Sequence, residues 1–160
     1  MPALREALAD AGFGGARTYV QSGNIVVDTD LTPTALSEHV SRLIADRFGL
    51  DVPVVARTAA QLAQVVARNP FSEEVAINAK ALQVTFRADE VTPDVLAALE
   101  ARAAPTERVI AIGREIYSWH PDGIGRSKLA LAITPKYAEA TARNWTTVTT
   151  LLEMATTDAC

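Results

Sequence analysis

The sequence predicts an α+β fold made of two ferredoxin-like (split β-α-β) subdomains, the first lacking its first strand. Three observations carry that reading. Helix-spaced and strand-spaced apolar runs alternate along the chain. Their order is α-β-β-α-β, one helix, then β-α-β-β-α-α. One strand placed ahead of residue 1 turns the first part into β-α-β-β-α-β, the split β-α-β order. The second part reads as the same unit without its last strand. The halves are assigned to residues 1–57, a truncated ferredoxin-like half, and 58–160, an α+β half. No residue-level repeat links them.

Each element has its own signal. Residues 2–11 form a helix: Pro2 suits the first turn, Leu4 and Leu8 share a face, and Gly12 follows as a C′ residue. Two β-runs, 17–21 and 24–28, flank a Ser22-Gly23-Asn24 turn. Residues 33–48 give the clearest helix, capped by Thr32, with Leu36, Val40, Leu43, Ile44 and Phe48 on one stripe. Residues 51–57 read as a strand. Thr58 and Gln61 then make a capping box for a helix carrying Leu62, Val65 and Val66. Pro70 stops that helix near Asn69.

The second half begins with alternation over 80–87, where Leu82, Val84 and Phe86 share a face. Thr92-Pro93 opens a helix with Val95, Leu96 and Leu99. Residues 107–112 and 115–119 are strands around Gly113-Arg114, and Pro121-Asp122-Gly123 is a turn. Residues 127–133 form a short helix. Asn144 caps a last one, with Trp145, Val148, Leu151 and Leu152 pointing inward.

A ferredoxin-like first strand lies inside its sheet. Without it, the predicted strand at 51–57 has no neighbour on one side, and unpaired buried backbone is costly. The expectation is a natural protein that begins some tens of residues upstream of Met1, or a truncated chain.

Composition bounds the function. Hydrophobic residues are 49% and charged residues 21% of 160, which excludes a disordered chain. The one cysteine, Cys160, excludes a disulfide scaffold. No apolar run has the length of a membrane span, and the N-terminus lacks a signal-peptide shape. The prediction is a soluble cytoplasmic protein with no membrane partner; its oligomeric state is left open. The net charge is −4, which counts against nonspecific nucleic-acid binding. Residues 123–145 depart from that balance, with Arg126, Lys128, Lys136 and Arg143 against Glu139 alone. Such a segment can steer an anion.

Candidate chemistry follows from three motifs. Gly123-Ile124-Gly125 lets backbone approach a ligand, Arg126 supplies a planar fork, and Lys128 supplies a point charge. Ser127 starts the short helix and Arg143 lies beside a second helix start. The spacing is not that of a P-loop. Gln21, Ser22 and Asn24 form a polar turn that can present side-chain amides; no neighbouring base marks Ser22 as a nucleophile. His120 can act as acid or base, with Asp122 to orient it. The other histidine, His39, lies on the polar side of its helix. Two separated histidines and a terminal cysteine give no zinc spacing, and no cofactor is implied. Acidic pairs such as Glu73/Glu74 read as solvated.

The motifs also carry a resemblance. Tyr19-Val20-Gln21-Ser22-Gly23-Asn24 resembles the Y-(I/V)-Q-S-G-N hairpin of the domain of unknown function 1697 family. Asn69-Pro70-Phe71 resembles its N-P-F turn, and Arg126-Ser127-Lys128-Leu129 its R-S-K-L segment. Thr141 to Val148 is similar to its T-x-R-N-W-x-T-V ending. The family's opening strand and glycine-rich loop, of the type A-L-L-R-G-I-N-V-G-G, are absent. The resemblance implies an α+β, ferredoxin-like fold in a bacterial cytosolic protein. It implies no reaction.

Three functions are open to the sequence. The leading one is binding of a small phosphorylated or carboxylated ligand by Arg126, Ser127, Lys128 and Arg143, with Gln21 and Asn24. The second is an enzyme of unknown class in the same pocket, using His120 or Ser22; no catalytic residue is assigned. The third is nucleic-acid binding. Against it stand the acidic charge and a strand 80–87 whose only aromatic, Phe86, faces the core.

Overall fold

The computed structural model describes residues 2–19, 23–133 and 140–157. It is a mixed helix and strand protein with two antiparallel sheets. Helix α1 spans Pro2–Asp10 and α2 Pro33–Phe48, with the hairpin β1 Arg17–Tyr19 and β2 Asn24–Val26 between them. Helices α3 Ala59–Ala67 and α4 Ser72–Ile77 follow, then a 3-10 turn, Ala79–Ala81. The remaining elements are β3 Leu82–Arg87, α5 Pro93–Glu100, β4 Arg108–Ile112, β5 Glu115–Trp119, α6 Lys128–Ile133, β6 Ala140–Asn144 and α7 Trp145–Thr157.

The four-stranded sheet has the order β4-β5-β3-β6, every pair antiparallel. Alternation sorts its residues onto two faces. Leu82, Val84, Phe86 and Tyr117 meet Val65 of α3, Phe71 and Val148 of α7 on one side. Val109 and Ile116 meet Leu99 of α5 and Leu129 and Ile133 of α6 on the other. Each such buried side chain contributes about 1.5–3 kcal/mol. A third cluster holds Leu8, Phe13, Val40 and Ile44 with partly buried Ile25.

Local chemistry sets the ends of the helices. Past α1, Phe13 N–H reaches Leu8 O and Gly12 N–H reaches Ala9 O, with Gly12 at φ 97°. This is a Schellman stop, and its Phe13–Leu8 contact seeds the third cluster. Thr32 accepts from Ala35 N–H, and Thr58 and Gln61 complete the expected capping box. Asn144 Oδ1 accepts from Thr147 N–H at 2.9 Å, the cap expected for α7.

Several elements correct the sequence reading. Residues 51–57 are not a strand. Among the described residues no strand lies beside them to complete a ladder, and side chains fix the segment instead. Val54 packs into the third cluster and Val55 into the first. The Arg57 guanidinium meets Glu115 Oε2 at 2.8 Å and donates to Arg87 O at 2.7 Å. The second half does not lack its last strand. Residues 140–144 pair with β3 from Gln83↔Asn144 to Arg87↔Ala140. The sequence Ala-Thr-Ala-Arg-Asn has little β-propensity; the open edge of β3 makes it a strand. Helix α4, unforeseen, carries two glutamates in its first turn, as its dipole favours. Glu74 is not simply solvated, since it takes Arg108 Nη2 at 2.6 Å, and that hydrogen bond holds its carboxyl below its ordinary pKa. Strand β2 ends at Val26 rather than 28 and β3 starts at Leu82 rather than 80. The last two residues of the strand predicted over 17–21, and Ser22, lie outside the described residues.

Candidate functional site

The turn predicted from Pro121-Asp122-Gly123 closes with Gly123 N–H on His120 O at 3.0 Å, Gly123 taking φ 90°. It delivers the segment 122–128 to one wall of an open cleft of about 660 Å³. The opposite wall is residues 101–104, where α5 ends. Arg102, Arg126 and Lys128 line this cleft together with Asp122, Glu107 and Ser127.

Beneath the cleft runs a buried polar network. Period two puts Ser118 and His120 on the same side of β5 and its continuation. His120 Nε2 lies 2.8 Å from Ser118 Oγ, and His120 Nδ1 lies 2.7 Å from Glu107 Oε2. The Ser127 hydroxyl donates to the same Glu107 oxygen at 2.6 Å and accepts from Ala130 N–H at 3.0 Å, capping α6. Glu107 Oε1 accepts from Ala104 N–H at 3.0 Å. An ionised carboxylate only accepts, so Nδ1 carries the proton that faces Glu107. A neutral imidazole then takes the Ser118 proton at Nε2.

Electrostatics follow from these contacts. Burial pushes the Glu107 carboxyl upward, but hydrogen bonds from Ala104, Ser127 and His120 outweigh it and hold the pKa below its ordinary value. Glu107 therefore stays charged, with both oxygens engaged from within the protein. Asp122 is not among the hydrogen-bond partners of His120; it accepts from the Thr106 hydroxyl at 2.6 Å. The carboxylate that orients His120 is Glu107, not the expected Asp122. Among the described residues, Arg102, Arg126 and Lys128 form no ion pair.

The expected ligand residues divide. Arg126, Ser127 and Lys128 come together at the cleft. Ser127 is buried, its hydroxyl engaged by Glu107 and Ala130. Arg143 does not line the cleft. It sits on β6 and donates through Nε to Asn24 Oδ1 at 2.5 Å, which brings it to the hairpin instead. Burial lowers the pKa of this guanidinium. Gln21 lies outside the described residues, as does Ser22. His39 is exposed and stands edge-on to Phe13. Sequence reasoning missed Arg102, Glu107 and Ser118. Only Ser118 had a signal, its i, i+2 relation to His120. Among the described residues no three His, Cys, Asp or Glu side chains gather as a metal site. None of their helices is long and apolar enough to cross a membrane.

Fold and site together define a mixed α+β protein with a cation-lined cleft over a buried Glu-His-Ser network. The family model described as "Protein of unknown function (DUF1697)" matches residues 1–117, and the chain belongs to that family. The motifs at 126–129 and 141–148 lie beyond the matched stretch. Among solved structures, the conserved bacterial protein SP0830 from Streptococcus pneumoniae is similar, with a TM-score of 0.75 at 18% identity. The likeness covers 97% of this chain and 88% of that one, and it shows the fold. No curated protein matches the chain.

Proposed function

We propose that this protein binds a small phosphorylated or carboxylated ligand in the cleft between residues 101–104 and 122–128. One observation carries the reading: Arg102, Arg126 and Lys128 converge on a cleft whose two lining carboxylates, Glu107 and Asp122, already accept hydrogen bonds from within the protein. Arg126 and Lys128 supply the fork and the point charge, and Ser127 holds the loop that presents them. Binding is favoured over catalysis because the hydroxyl that His120 polarises, on Ser118, is 1% exposed and does not line the cleft. Arg143 and Asn24 belong to a separate polar contact in this reading. The strand order β4-β5-β3-β6, with helices α5 and α6 on one face, supports a ferredoxin-like reading of the second half. A cytoplasmic location accords with an anionic metabolite as ligand.

The test is a thermal-shift screen with sulfate, phosphate and organic phosphates, on the wild type and Arg126→Ala/Lys128→Ala. Ligand at a hundred times its Kd stabilises by about 2.7 kcal/mol, which raises Tm by about 5–11 °C for a chain of this size. The shift is expected in the wild type and lost in the double variant. No shift with any anion overturns the proposal.

A further inference from the structure

We propose that His120 couples anion capture in the cleft to proton uptake, so that the protein holds its anionic ligand more tightly at pH 6 than at pH 8. The inference rests on the binding reading above and adds its regulation. Its basis is geometric. Glu107 lines the cleft, and its Oε2 is 2.7 Å from His120 Nδ1. His120 is 1% exposed, so solvent screens the pair little.

With a neutral imidazole, Glu107 leaves one negative charge in the cleft wall. With an imidazolium, the pair is neutral, and Nε2 becomes a donor that the Ser118 oxygen can accept. An anion arriving beside Arg102, Arg126 and Lys128 therefore meets the uncompensated Glu107 charge in the first state and not in the second, while the Asp122 charge is the same in both. Thermodynamic linkage makes the effect reciprocal: a bound anion favours the protonated imidazole. The other charged groups around His120 do not supply such a change. Asp122 is tied to Thr106. The three cations of the cleft, and Lys80 beside the Ala81 carbonyl that takes His120 N–H, keep their charge near neutral pH. An imidazole is the side chain whose charge changes between pH 5 and 8.

Sulfate is the probe, because it stays a dianion throughout this range. Titration calorimetry at pH 6 and pH 8, in buffers of different ionisation enthalpy, reads both affinity and proton uptake. The expected result is sulfate binding several-fold tighter at pH 6, with a fraction of a proton taken up per sulfate. His120→Gln is expected to bind sulfate with one affinity at both pH values and no uptake, while His39→Gln keeps the wild-type behaviour. Histidine resonances of the wild type give a readout free of any variant: at fixed pH, sulfate should move the His120 ring signals toward those of an imidazolium and leave those of His39 in place. Equal affinity at the two pH values, or uptake that survives in His120→Gln, overturns the coupling and leaves the binding reading standing. Absence of sulfate binding at both pH values overturns the two together.

Discussion

The Ser127 hydroxyl donates to Glu107 Oε2 at 2.6 Å while it accepts from Ala130 N–H at 3.0 Å. One oxygen thus starts helix α6 and fixes the carboxylate under the cleft. Ser127→Ala removes both contacts. A lost cap is worth about 0.5–2 kcal/mol and a hydrogen bond to a charged group about 1.5–3 kcal/mol. The expected outcome is a destabilisation of about 2–5 kcal/mol in urea unfolding, with weaker anion binding. A change below about 0.5 kcal/mol would show that neither bond contributes.

Arg57 and Glu115 form the most buried ion pair between a guanidinium and a carboxylate among the described residues, at 2.8 Å with side chains 7% and 14% exposed. Removing one member of a buried pair costs about 3–5 kcal/mol, because the other charge is stranded. Arg57→Met should therefore be severely destabilising, and Arg57→Met/Glu115→Leu should recover much of the loss. Equilibrium unfolding of the three proteins checks this. A double variant no better than the single one would place the value of the pair in the Arg57 contacts to backbone at Ala56 and Arg87.

The depressed carboxyl of Glu107 sets an acid limit on stability. A group whose folded pKa lies below its unfolded one stabilises fully above the unfolded value, about 4.3 for glutamate. That contribution is lost as pH falls through the lower folded value. Urea midpoints measured from pH 7 to pH 3 should hold steady in this respect down to about pH 5 and then drop. Glu107→Gln should be less stable at pH 7 and lose less on acidification. Parallel curves for the two proteins would refute the assignment.

What could be read from the sequence depended on whether a signal was local. Helix α2 was legible to the residue, because Thr32, Pro33 and Gly49 are chemical stops acting within one turn. The hairpin β4–β5 was legible from Gly113, which holds φ 62°. Residues 51–57 have a strand's apolar content, but a strand also needs a partner, and none lies beside it among the described residues. Strand β6 is the converse, a segment of weak propensity recruited by the free side of β3. The site followed the same division. Arg126 and Lys128 announced themselves as a local excess of charge. Glu107 is separated from His120 by the whole β4–β5 hairpin, and nothing in its neighbours marks it as the carboxylate that would be buried there. Arg143 looked like a member of the same cluster because it is close in sequence, yet its strand carries it to Asn24.

Val54 and Val55 are chain neighbours that belong to different cores. A single peptide unit thus works as a rivet between the α1–α2 layer and the sheet. Melting of either layer would strip one of these two valines of its packing while the other stays anchored one residue away. Amides of α2 and of β3 are therefore expected to exchange in one unfolding event, and native-state hydrogen exchange that releases α2 well before β3 would refute that.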